Sequence, residues 1–297
     1  MTDKGLLDVR KLPDKEFNQY WDSIKLPDDM KEQMVRQIVL SFKIRGTISF
    51  AELPLHGIMA LLGPPGTGKT SIARAVASKA AEFLGKNVSY IEVEPHALAS
   101  SALGRSQKDV RDLLMVTIRE KAANHPTIVL LDEVETLAAD RNRLSLEANP
   151  VDVHRATDAV LASLDVLARE NPKLVFLLTS NFEKAVDQAL LSRADVIFRF
   201  ENPNQDACRH IITDTLSALG REWPGLSKLT DSKSFSKAVE AAVGLDGRKI
   251  RKSVFSALSA RKETVTKPEL LSIEDLTKAF KLAHGSLKKE EESRHGH

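Results

Sequence analysis

The sequence predicts an α/β fold in which a three-layer parallel sheet is covered by helices, followed by a smaller all-helical unit. Three observations predict it. Between residues 58 and 200, short apolar runs alternate with segments of helical pattern. The runs Ile128–Leu131 and Leu174–Leu178 are continuously apolar, as strands are when helices cover both faces of a sheet. Beyond Glu201-Asn-Pro-Asn204, helical patterns alone remain.

Residues 1–45 read as a helical linker. Phe17, Tyr20, Trp21 and Ile24 recur at helical spacing, Leu26-Pro27 breaks the pattern, and Asp28 or Asp29 can cap a second helix. In that second helix, Met34, Val35, Ile38, Val39 and Phe42 form one apolar stripe. Residues 46–203 form the large α/β domain, with strands at Ile58–Leu62, Val88–Val93, Ile128–Leu131, Leu174–Leu178 and Val196–Phe200. The intervening helices are Thr70–Leu84, stopped by Gly85, then Gln107–Ala123, Val153–Arg169 and Ala185–Leu190. Residues 204–285 form the small helical domain, in which Ser272 and Asp275 make a capping box. The polar segment 286–297 is expected to be a disordered tail.

A chain of 297 residues exceeds the needs of one small domain, and 42% hydrophobic residues supply a sizeable core. The formal charge of +2 gives no electrostatic case for nucleic acid as the main client. The single cysteine, Cys208, rules out an intramolecular disulfide, and its helical setting reads as a small buried apolar residue. No apolar run reaches membrane-spanning length and no signal-peptide core is present, so the chain reads as cytoplasmic with no membrane partner.

The chemistry concentrates at Gly63, Pro64, Pro65, Gly66, Thr67, Gly68, Lys69, Thr70 and Ser71, which fit G-x-x-x-x-G-K-[ST] between a strand and a helix. That arrangement aims backbone N–H groups and a helix N-terminus at one spot, where a nucleoside triphosphate fits. Lys69 would reach the β- and γ-phosphates, and the Thr70 hydroxyl would ligate Mg²⁺. Asp132 and Glu133 end an apolar strand. Asp132 suits the metal through water, and Glu133 suits a general base that polarises the attacking water. Asn181 ends the next strand and suits orientation of that water, although Asn also favours turns. Arg193 and Arg248 could neutralise charge on the transferring phosphoryl group, or be ordinary ion-pair partners.

These motifs, in this order and with a helical domain behind them, resemble the AAA+ ATPases. They resemble in particular the pachytene-checkpoint branch, which remodels HORMA-domain proteins. Glu16-Phe-Asn-Gln-Tyr-Trp21-Asp-Ser-Ile24 resembles that branch's linker segment, and Leu131-Asp-Glu-Val-Glu135-Thr-Leu137 its second acidic motif. Thr179-Ser-Asn181, Ser192-Arg-Ala-Asp195 and Gly247-Arg248-Lys-Ile-Arg251-Lys252 resemble its sensor-1, arginine-finger and sensor-2 segments. The resemblance implies a sheet of strand order 5-1-4-3-2, a helical lid, and a homohexameric ring with ATP and Mg²⁺ between subunits. Arg193 would then reach a neighbour's site, and Arg248 would sense nucleotide from the lid of its own subunit. The implied activity is ATP hydrolysis that opens a HORMA-domain protein, which can itself bind a nucleotidyltransferase, and so switches off a bacterial antiphage signal.

The sequence departs from the family in two ways. The stretch before the core is too short for the folded substrate-binding domain of the eukaryotic members, which favours a minimal bacterial type. At the pore position, within Ala99-Ser-Ser-Ala102-Leu103-Gly104-Arg105, Ala102 replaces the aromatic residue that grips an extended chain. A second pore loop is expected within Arg141–Arg155. The alternatives are an AAA+ motor with another protein or nucleic-acid client, and a nucleotide-switched scaffold that scarcely hydrolyses ATP.

Overall fold

The computed structural model describes residues 5–95, 107–136 and 150–295. The pore positions Ala102 and Leu103, and Arg141 and Arg143, lie outside the described residues. Contacts within the chain group into two units. One holds residues 1–63 and 69–200, and the other holds 64–68 and 201–297.

The first unit is built on a six-stranded sheet. Its strands are β1 (Leu6–Leu12), β2 (Ile58–Leu62), β3 (Val88–Val93), β4 (Thr127–Leu131), β5 (Leu174–Ser180) and β6 (Val196–Arg199). The spatial order is β1-β3-β4-β5-β2-β6. From β6 to β3 this is the expected 5-1-4-3-2 order of parallel strands. The sheet is not wholly parallel, however, because β1 adds an antiparallel edge strand beside β3. The sequence reading of residues 1–45 as a helical linker did not include this strand. β1 alternates exposed and less exposed residues, with Leu7 and Val9 facing outward. One lone alternating stretch carries little signal when the strand that pairs with it lies about eighty residues away.

The parallel strands β2 to β5 are buried on both faces, and alternate residues feed two separate cores. Ile58, Ala60 and Leu62 of β2 join one core, and Met59 and Leu61 join the other. The first core is closed by α4 (residues 107–122) and α5 (Pro150–Glu170). Helix α4 runs through a π-helical stretch at Leu113–Ile118. The second core is closed by α1 (Lys15–Ser23), α2 (Asp28–Arg45) and α3 (Lys69–Leu84). In α1, Asp14 caps the helix by accepting the Phe17 N–H at 3.0 Å, and Phe17 packs edge-on against Tyr90. Helix α2 starts at Asp28 with Pro27 in the N-cap position, earlier in the chain than the cap expected at Asp28 or Asp29. Gly85 ends α3 at φ +59°, a left-handed conformation that glycine adopts freely.

Arg45 closes α2 with an arrangement that the sequence did not disclose. It is 8% exposed and donates to Ala168 O (3.1 Å), Asn171 O (3.3 Å) and Leu174 O. Burial pushes its pKa down to about 10, opposed by the field of Asp195. Gly57, at φ +73°, leaves the space that the guanidinium occupies. A short helix α6 (Gln188–Leu191) precedes β6.

The second unit has its own apolar core, formed by α7 (Gln205–Leu219), α8 (Phe235–Ala242), α9 (Gly247–Ser259) and, after the short α10 (Lys262–Thr266), α11 (Ile273–His295). Cys208 is fully buried in it, as expected. The capping box forms, with Ser272 N–H to Asp275 Oδ2 at 3.0 Å and Asp275 N–H to Ser272 Oγ at 3.2 Å. Helix α11 runs on to His295, across the segment expected to be a disordered tail. Its Lys and Glu residues there are good helix formers that continue a turn already nucleated by packing.

Candidate nucleotide site

The site forms where β2, β4 and β5 end. β2 ends at Leu62, and the chain leaves the sheet through Gly63 at φ +150°. A Cβ on Gly63 would collide with the Phe200 carbonyl. Gly66 and Gly68, at φ +80° and +90°, turn the loop into α3, which begins at Lys69. Pro64 and Pro65 are exposed, and the Thr67 hydroxyl donates to Pro64 O at 2.9 Å. Ser71 is half-buried in the first turn of α3. Non-glycine residues would strain the three turning positions.

Lys69 is 5% exposed, and its ammonium donates to Gly63 O at 2.8 Å and to Asn181 Oδ1 at 2.9 Å. The Thr70 hydroxyl donates to Asp132 Oδ1 at 2.8 Å. The same carboxylate oxygen accepts the Thr179 hydroxyl, which in turn accepts the Glu133 N–H at 3.1 Å. Glu133 sits at φ +53°, a left-handed conformation that costs a non-glycine residue free energy and is typical of functional sites. Its carboxylate is exposed, and Oε1 accepts from Asn181 Nδ2 at 3.3 Å. The Asn181 amide therefore bridges the Lys69 ammonium and the Glu133 carboxylate.

The structure thus brings Lys69, Thr70, Asp132, Glu133 and Asn181 into one hydrogen-bonded group. It also brings in two residues that the sequence reading placed in motif segments without giving them a role. Thr179 joins Asp132 to Glu133. Glu135, 6% exposed, accepts the Asn181 N–H at 3.0 Å. Their sequence signal was membership of the second acidic motif, for Glu135, and of the sensor-1 segment, for Thr179.

The two arginines behave differently. Arg193 lies between α6 and β6, and its Nε and Nη2 donate to Asp165 Oδ1 and Oδ2 at 2.6 and 2.8 Å. Its Nη1 donates to Ala189 O at 2.7 Å, and His56 Nε2 lies 3.3 Å from Asp165 Oδ1. The hydrogen bond from Arg193 holds the Asp165 carboxyl below its ordinary range, and Asp165 raises Arg193 in return. Within one subunit, Arg193 is thus an ion-pair partner and makes no hydrogen bond to the group around Lys69. Arg248 is exposed in the first turn of α9, whose N-cap Asp246 accepts the Lys249 N–H at 2.8 Å.

The donor set fits a divalent cation with a polyphosphate. The Thr70 hydroxyl and the Asp132 carboxylate, 2.8 Å apart, are hard oxygen donors suited to Mg²⁺. The backbone N–H groups at the start of α3 and the Lys69 ammonium suit phosphate oxygens.

Comparison with known proteins agrees with this geometry. Residues 59–202 match the model of the ATPase family associated with various cellular activities (AAA). The chain is 50% identical over 281 residues to CD-NTase-associated protein 6 of Pseudomonas aeruginosa, covering 94% of this chain and 92% of that protein. It is 27% identical over 292 residues to the putative pachytene checkpoint protein 2 of Caenorhabditis elegans, covering 89% of this chain and 68% of the relative. Its fold is shared with a chain in the structure of the Escherichia coli MS115-1 HORMA:CdnC:Trip13 complex, with a TM-score of 0.73 and 19% identity, covering 94% of this chain and 95% of the other. The chain carries an AAA ATPase domain and belongs to one family with CD-NTase-associated protein 6.

Proposed function

We propose that this protein hydrolyses ATP with Mg²⁺ and uses the energy to open a HORMA-domain protein. The observation that carries the hydrolytic part is the Asn181 amide, which touches Lys69 and Glu133 together. A bridge of this kind ties the group that holds the γ-phosphate to the group that polarises water. Lys69, with Gly63–Thr70, binds the phosphates, and Thr70 and Asp132 are the residues to hold Mg²⁺. Bound there, the metal would supply charge neutralisation to the phosphate oxygens. Glu133 is the general base, its exposed carboxylate free to meet water, and Asn181 orients that water.

The remainder of the proposal follows the relatives. The subunits form a homohexameric ring in the cytoplasm. Residues 46–203 act as the ATPase domain, 204–285 as the lid, and 1–45 as a linker that meets the client. Arg193 leaves Asp165 and reaches the neighbour's γ-phosphate, and Arg248 senses nucleotide from the lid. The relative at 50% identity is named for association with a CD-NTase, and the E. coli assembly holds a HORMA protein and CdnC beside its Trip13 subunit. These two names support a HORMA client and a CD-NTase partner; the antiphage role is the reading that the family resemblance suggests. Nucleic acid is not the main client.

The test is capture. The Glu133→Gln variant, loaded with ATP in cells that carry the native genomic neighbours, retains a client that it cannot release. A HORMA-domain protein in the eluate supports the proposal. Nucleic acid or an unrelated protein in its place refutes the client assignment.

A further inference from the structure

Glu135 lies two residues beyond the proposed base, in a turn that Thr136 closes by donating its N–H and hydroxyl to Glu133 O at 2.9 and 2.8 Å. Val134 anchors the turn from below. Its side chain is 3% exposed in the core, and its N–H donates to Thr179 O at 3.0 Å. The two glutamates on either side then part company, Glu133 facing outward and Glu135 inward.

An inward carboxylate in a turn is unusual, because Glu is rarely buried without a partner. Glu135 Oε1 accepts the Asn181 N–H at 3.0 Å, while Oε2 is buried and makes no hydrogen bond among the described residues. Asn181 is the first residue beyond β5, so its N–H has left the sheet ladder. Three main-chain N–H groups tie the segment after β4 to the end of β5: Val134 N–H to Thr179 O, Glu133 N–H to Thr179 Oγ1, and Asn181 N–H to Glu135 Oε1. The first two ties fix Thr179. The third alone acts on the Asn181 main chain.

We propose that Glu135 is a positioning residue for ATP hydrolysis, fixing the Asn181 backbone so that its amide meets Lys69 and Glu133 at the same time. The demand is geometric. Contacts of 2.9 and 3.3 Å from one short amide leave little slack, and a displacement of about 1 Å breaks one of them. What Glu135 contributes is a correctly placed acceptor, so an acceptor at the same reach replaces it better than a carboxylate at a shorter reach. The inference rests on the water-orienting role given to Asn181 above.

The experiment measures steady-state ATP turnover of the full-length protein and of Asn181→Ala, Glu135→Ala, Glu135→Gln, Glu135→Asp and the Glu135→Ala/Asn181→Ala double variant. Glu135→Ala is expected to lower kcat by about tenfold with the KM for ATP within about twofold, the signature of an interaction that matters in the transition state. In the Asn181→Ala background, the same substitution should cost less than about twofold, because the two residues act as one unit. Glu135→Gln should recover at least about fivefold over Glu135→Ala, and Glu135→Asp should not. Multiplicative losses in the double variant, or recovery by Asp and not by Gln, overturn the assignment. An Asn181→Ala variant that turns over at the wild-type rate overturns the role of Asn181 and, with it, that of Glu135. A slow Asn181→Ala with a multiplicative Glu135→Ala overturns Glu135 alone. If Glu135→Ala does not fold, the Gln and Asp variants decide the matter between them.

Discussion

Individual residues in this protein carry strain and buried charge where the proposed chemistry is, and both are testable. Glu133 holds a left-handed backbone, and Lys69 is buried against two acceptors. Outside the site, Arg45 is a buried cation with carbonyl oxygens as its hydrogen-bond acceptors. Arg45→Ala removes three side-chain hydrogen bonds to buried carbonyls and opens a cavity, a loss of about 3 kcal/mol. Denaturant unfolding checks this, and a change under 1 kcal/mol contradicts it. Arg193→Ala should abolish turnover while ATP still binds, since Arg193 makes no hydrogen bond to the group around Lys69 in its own subunit. Wild-type turnover in that variant removes Arg193 from the finger role. At this scale the sequence was informative about identity and silent about pairing. The motif named Lys69, Thr70, Asp132, Glu133 and Asn181. That Arg193 is held by Asp165 depends on which face of a helix 28 residues away turns toward it, and no local pattern encodes that.

At the scale of elements, the parallel strands were legible because burial on both faces makes them continuously apolar. β1 was not, because an edge strand with one exposed side reads as ordinary alternation until its partner is known. The Arg193–Asp165 pair ties the segment before β6 to α5, and its pH dependence has a definite sign. Asp165 titrates below its ordinary value, so the pair's stabilisation is complete above a pH of about 4 and is lost as pH falls through the lowered value. The stability difference between the wild type and Asp165→Asn should therefore shrink on acidification from pH 7 towards pH 3. A difference that stays constant over that range contradicts the pairing.

For the whole molecule, the sequence showed an α/β unit followed by helices, and the structure holds two units with separate apolar cores. Among the described residues, no helix is long and apolar enough to cross a membrane. What the chain could not disclose about itself is what lies between copies, because ring assembly and client grip depend on surfaces that have no motif. The hydrolytic centre is the part on which every larger claim depends. The most direct test is turnover at saturating ATP by the wild type and by Glu133→Gln, with nucleotide binding measured in parallel. The account predicts that the variant binds ATP as the wild type does and turns over at least about a hundredfold more slowly, the scale of losing a general base. A variant that hydrolyses ATP within about threefold of the wild-type rate contradicts the account, because the water would then be activated by another group.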